Sequence, residues 1–311
     1  VTPAPDDTTE LGSTGAEATP GWFRRALAIP CTDLWFEVGG CRLHALAWGE
    51  PGRRGLVFVH GGGAHAHWWT HVAALFADAF RVVAVDLSGH GDSGTRSAYS
   101  LEQWTDEVIA AAAAGEIDGP AVVVGHSMGG FVTIATAALH PEHLAGVVVC
   151  DSPVTRPDPE IDAARVGDAF GRPKVYPTRD EALARFRTVP AQEHYLDYVL
   201  CHVAEHSLRQ VPGGWSWKFD HTVFSTFTAN PRAIARPYLA QVRSRFALLR
   251  SECGLVTADI GDYMYEVLGR AAPVIELPEA GHHAMLDQPL LLLTALRTLL
   301  ADWDHSVPRR R

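Results

Sequence analysis

The sequence predicts an α/β protein: a mostly parallel sheet flanked by helices and interrupted by an inserted, mainly helical cap. Three observations carry this. Six short apolar runs alternate with longer helical stretches, the spacing that a parallel sheet with crossover helices requires. One run, Ala121 to Val124, passes through Gly125-His126-Ser127-Met128-Gly129-Gly130 into a helical stretch, Phe131 to Leu139. Between Pro153 and about Ala229 the alternation stops.

The elements follow in chain order. Residues 1–20 are rich in Thr, Pro, Asp, Glu and Gly with few bulky apolar side chains, and are expected to be a disordered leader. From Leu34 to Trp48 the residues alternate around Gly39-Gly40, which reads as an antiparallel hairpin. The runs Leu56 to Val59, Val82 to Val85, Ala121 to Val124, Val147 to Val149, Phe246 to Leu249 and Val274 to Leu277 are the parallel strands. Each ends in glycine or polar residues, and the carboxyl ends of such strands are where a site gathers. Helical stretches at Pro159 to Phe170, Asp180 to Phe186 and Glu193 to Ser207, then an aromatic-rich loop or short hairpin at 213–220, fill the cap, 154–230. Pro231 to Val242 returns the chain as a helix to the core, assembled from 21–153 and 231–311.

Composition narrows the function. At 311 residues and 47% apolar content the chain can bury a large core. A net charge of −10 and a pI near 5.9 leave no phosphate-neutralising stripe, so nucleic acid is not an expected partner; Arg309-Arg310-Arg311 is too short to change that. No run approaches the roughly 18 apolar residues of a membrane span. Five cysteines without metal-ligand spacing read as reduced thiols in a cytoplasmic protein, and the oligomeric state is open.

The strand, tight turn and helix around Ser127 form a nucleophile elbow: the turn strains the serine's backbone, and Gly125 and Gly129 keep space where strand and helix crowd together. The Met128 N–H and the helix N-terminus beside it can receive a developing oxyanion. His65 and His67, with His60, suggest a metal, but two histidines at alternate positions in a glycine loop lack a credible third and fourth ligand, so no metal is expected, and no cofactor is implied. The glycine-rich Gly89-His90-Gly91-Asp92-Ser93-Gly94 lacks the lysine and helix start of a phosphate cradle.

With His60-Gly61-Gly62-Gly63, Asp86-Leu87-Ser88-Gly89-His90-Gly91-Asp92-Ser93-Gly94, the Ser127 elbow and Gly281-His282 in this order, the chain resembles the α/β-hydrolase superfamily from about Trp35 to Trp303. The resemblance implies Ser127 as nucleophile and His282 as base, with His283 its competitor. It implies an oxyanion hole of the Met128 and Gly62 N–H groups, with Gly63 the alternative second donor. The acid departs from the commoner pattern. Many relatives carry an aspartate shortly after the seventh strand, where this chain has Arg250-Ser251-Glu252-Cys253-Gly254-Leu255, and Gly254 falls where that aspartate would be. Two candidates stay open: Asp151 after the sixth strand, favoured for its short side chain on a rigid element, and Glu252 after the seventh. A turn role for Asp151 and a surface pairing of Glu252 with Arg250 are the structural readings.

This combination implies hydrolysis of a carboxylic ester or lactone through an acyl-enzyme, and Ser127 excludes the usual mechanism of epoxide hydrolases and haloalkane dehalogenases, which place an aspartate there. Trp215, Trp217 and Phe219, with Trp69, suggest a hydrophobic substrate group. The alternatives are a carbon–carbon bond hydrolase of the meta-cleavage product type, whose acid usually follows the seventh strand, and a catalytically slow ligand receptor on the same fold.

Overall fold

The computed structural model describes residues 19–163, 174–225 and 230–306. The expected leader, except for its last two residues, the C-terminal arginines and the distal part of the helix expected over Pro159 to Phe170 lie outside the described residues.

Eight strands form one sheet. β1 (Thr32–Val38) and β2 (Cys41–Trp48) are the antiparallel hairpin, and Gly39 and Gly40 both take positive φ, 52° and 73°, as a tight turn between twisted strands demands. β2 pairs antiparallel with β4 (Arg81–Asp86). From there the sheet is parallel through β3 (Gly55–Val59), β5 (Ala121–His126), β6 (Leu144–Cys150), β9 (Phe246–Cys253) and β10 (Val274–Gly281).

The continuous apolar runs have a simple cause: both faces of the parallel strands are covered. Leu56 and Phe58, Val82 and Ala84, and Val122 and Val124 pack on one side, with Phe23 of α1 (Gly21–Leu27), Val72 of α2 (Thr70–Ala73), and Leu296 and Trp303 of the last helix, Pro289–His305. Their neighbours Val57 and Val59, Val83 and Val85, and Val123 face the other way, onto α3 (Leu101–Ala114), α4 (Met128–Leu139), the helix Pro231–Leu239 and the helix Ala258–Val267. Each fully buried Val or Leu contributes about 1.5–3 kcal/mol, so this alternation fixes the strand register. Ser100 caps α3 by accepting from Gln103 N–H at 3.2 Å, and Asn230 with Pro231 opens the returning helix by the same device.

Between β6 and that returning helix the chain forms α5 (Pro159–Ala163), α6 (Arg179–Leu183), α7 (Asp197–His206) and a hairpin, β7 (Leu208–Val211) with β8 (Gly214–Trp217). β7 is a strand where the sequence pattern shows none, and α1 is a further element it does not reveal. The hairpin's exit is tied to the glycine-rich loop after β4: Gly91 N–H donates to Lys218 O at 2.8 Å and Asp220 N–H to Gly89 O at 2.7 Å. The donors of Gly89, Ser93 and Gly94 also find backbone acceptors, so the loop's amides serve the fold.

Candidate active site

β5 ends at His126, and Ser127 turns the chain at φ 54°, ψ −119° before α4 begins at Met128. A non-glycine residue at such φ costs about 1–3 kcal/mol, which the surrounding contacts must over-determine. Ser127 N–H is held by Cys150 O of β6 at 3.0 Å, and Gly130 N–H donates to Ser127 O at 3.0 Å. The crowding expected at the elbow is present: a Cβ on Gly129 would lie 2.4 Å from His60 O, a backbone atom that cannot swing away.

His282, at the mouth of β10, is buried, with Nε2 3.1 Å from Ser127 Oγ and Nδ1 2.7 Å from Asp151 Oδ2. The carboxylate accepts from Nδ1–H, which leaves the Nε2 lone pair facing the serine hydroxyl. His126 donates from Nε2 to His282 O at 2.8 Å and so pins the backbone of that loop. No sequence pattern signals this, because the residue between glycine and serine in an elbow is variable. His283 points elsewhere: its Nε2 donates to Pro190 O at 3.0 Å, its N–H donates to Gln192 Oε1 at 2.8 Å, and its ring lies against Trp68.

The two candidate acids are separated in space. Asp151, at φ 46°, is buried and accepts from Leu255 N–H at 2.7 Å and Val256 N–H at 3.0 Å as well as from His282. A Cβ on Gly254 would stand 2.3 Å from Asp151 Oδ2, so the missing side chain there is the space the carboxylate uses. Glu252 is exposed and accepts from Glu279 N–H at 2.8 Å. Arg250, its expected surface partner, pairs instead with Glu276 on the neighbouring strand.

The glycine loop runs beside the elbow: a Cβ on Gly61 would meet Ser127 Cβ at 3.3 Å. The N–H groups of Gly62, Gly63 and Met128 donate to no acceptor among the described residues. Both ends of the loop are clamped. His60 donates from Nδ1 to Gly61 O at 2.7 Å and accepts Leu87 N–H at 3.1 Å; beyond the glycines, Ala66 N–H donates to buried Asp86 at 2.7 Å. Asp86 also accepts from His44 Nδ1 at 2.8 Å; burial alone would raise its pKa, but His44 holds it below the usual carboxylate range. His65 reaches the end of α7, 2.8 Å from Ser207 Oγ.

Of the aromatic candidates, two are placed by ring contacts and two by their backbone. Trp69 is wholly buried, 5.0 Å from the Phe58 ring and 6.5 Å from that of His126, so it is Trp68 that meets the His283 ring. Trp217 packs on Tyr176 and Phe186 within the inserted segment. Trp215 pairs through its backbone with Tyr176, and Phe219 forms a bridge with His90.

With this geometry in place, the comparisons with known proteins are specific for family. A family model described as the alpha/beta hydrolase family matches residues 56–295. Lipase LipV of Mycobacterium tuberculosis is 33% identical over 262 residues, 83% of this chain and 97% of that protein. The 2-succinyl-6-hydroxy-2,4-cyclohexadiene-1-carboxylate synthase of Escherichia coli is 28% identical over 83% of this chain and 98% of its own length. Among solved structures, E-2-(acetamidomethylene)succinate hydrolase superposes with a TM-score of 0.72 at 21% identity, covering 88% of this chain and 100% of that one.

Proposed function

The chain belongs to the alpha/beta hydrolase family, and on that premise we propose that it is a serine hydrolase cleaving a carboxylic ester or lactone with a hydrophobic group through an acyl-enzyme. The observation that carries this is the His282 ring, 3.1 Å from the Ser127 hydroxyl and 2.7 Å from the Asp151 carboxylate. In this reading Ser127 Oγ attacks the substrate carbonyl while His282 Nε2 takes its proton. Asp151 holds the tautomer and stabilises the imidazolium. The carbonyl oxygen becomes an oxyanion received by the free N–H groups of Met128 and Gly62, with Gly63 the alternative. His282 then returns the proton to the departing alkoxide, and a water activated by the same ring hydrolyses the acyl-serine.

The exposure of Glu252 and its bond to Glu279 argue for Asp151 as the acid. The lipase relative supports an ester substrate; its name describes that protein only. The test is hydrolysis of p-nitrophenyl esters of increasing acyl length, with Ser127→Ala alongside. The variant should fall by about 10⁴-fold or more in kcat. Equal rates for the two proteins would remove Ser127 from the mechanism, and conversion of a yellow dienol diketone in preference to every ester would move the reaction to carbon–carbon cleavage.

A further inference from the structure

Along the chain His67 has no metal-binding companions, but the fold brings it two. His202 and His206 lie one turn apart on α7, and residues four apart share a helix face. That face meets the segment just beyond the oxyanion loop, where the His67 ring stacks on His206 with centroids 4.0 Å apart and lies 6.1 Å from His202. One ring nitrogen from each of the three lies within 4.8 Å of those of the others. We propose that His67, His202 and His206 bind one Zn²⁺-like transition-metal ion, with water completing the coordination, and that the ion clamps α7 to the loop beside Ser127.

The chemistry of the donors selects the ion. Imidazole nitrogens suit zinc, copper and nickel, whereas magnesium and calcium call for oxygen ligands, and none of the three residues offers one. Two of the ring nitrogens are free to ligate. His206 donates its Nδ1–H to His202 O at 2.8 Å, the orienting bond typical of a metal-bound histidine, which leaves its Nε2 lone pair outward. Buried His202 Nε2 has no hydrogen-bond partner among the described residues, a deficit that coordination would remove.

Geometry asks for a modest adjustment. Three nitrogens at about 2.0–2.1 Å from a tetrahedral ion stand about 3.3 Å apart, so the rings must turn inward from their present separation. All three residues are half-buried. The consequence is mechanical: His65, two residues before His67, already bonds Ser207 at the end of α7. A metal would add a far stronger tie between the same two segments.

The experiment uses the full chain after dialysis against a chelator. ZnCl₂ is titrated calorimetrically into the wild type, His202→Ala, His206→Ala and His282→Ala, with Co²⁺ absorption as the second readout. One ion per chain should bind the wild type and His282→Ala, raise Tm, and give the intense visible bands of tetrahedral Co²⁺. His202→Ala and His206→Ala should each weaken binding by about a hundredfold or more. His206→Gln replaces the alanine variant if that one does not fold. Absence of binding, binding that survives both α7 substitutions, or binding lost in His282→Ala would overturn the site. Zinc-independent protease cleavage of 154–230 in the metal-bound protein would overturn the clamp.

Discussion

Asp151 shows how far a single carboxylate can be committed by its surroundings. Its backbone is left-handed, its oxygens are occupied by three amides and an imidazole, and the nearest alternative acid is exposed and bonded elsewhere. Asp151→Asn should therefore lower kcat by about 10⁴-fold, about 5 kcal/mol, because the amide favours the wrong tautomer of His282. Glu252→Gln should stay within about twofold, the ordinary range of a surface substitution. Steady-state kinetics on one ester decides between them, and the reverse ranking would transfer the role to Glu252. Sequence could nominate both residues but not separate them. The decision lies in where the loop after β9 closes, which depends on contacts between distant segments. Ser127 and His282 were legible because glycine neighbours mark a sharp turn and a strand end, whereas His126 carries no such mark.

At the scale of elements, the loop joining β9 to the helix Ala258–Val267 is shaped around a side chain that belongs to β6. The position of Gly254 against Asp151 Oδ2 means that two strands compete to deliver one carboxylate to one place. Gly254→Ala should thus cost activity as well as about 1–3 kcal/mol of stability, by pushing the carboxylate off its amides. The exchange Asp151→Gly with Gly254→Asp should recover at least about tenfold in kcat over Asp151→Gly alone, since glycine accepts the left-handed backbone at 151 and the new aspartate starts where the old one ends. No recovery in a folded double variant would show that the β9 loop cannot present an acid. The parallel strands were readable as continuous apolar runs. α1 was not, because seven residues hold a helix only through tertiary contacts, here Phe23 against Tyr198 and His71. β7 follows α7 so closely that its short run merges with the helical pattern.

For the whole molecule the histidines set the response to acid. His60, His65, His67, His71, His90, His126, His202 and His283 all have pKa values lowered by burial, whereas His44 is raised by its bond to Asp86 against the opposing pull of burial. A histidine with a lowered folded pKa takes up its proton first in the unfolded chain, so stability falls as pH drops below about 6.5. Each such group adds about 1.4 kcal/mol per pH unit to that slope, against a total stability of about 5–15 kcal/mol. His44 acts with the opposite sign and is outnumbered. Urea midpoints measured from pH 7.5 to pH 5 should drop steeply, with cooperative unfolding well above pH 4. A flat profile across that range would mean that the rings are solvated. None of this could be read from sixteen histidines in a sequence, since only the fold separates buried rings from exposed ones.

The ladder between β5 and β6, which pairs Ala121 with Leu144 at one end and His126 with Cys150 at the other, places the hydroxyl and the carboxylate at the tips of adjacent rails. Their separation belongs to the sheet and changes only when the sheet melts. The imidazole alone arrives on a separate arm, pinned by the bond from His126 and by Gly281 N–H on Asp287. Loss of either bond would free this ring while the sheet stays intact, so a longer-lived catalyst is to be made by stiffening residues 281–287.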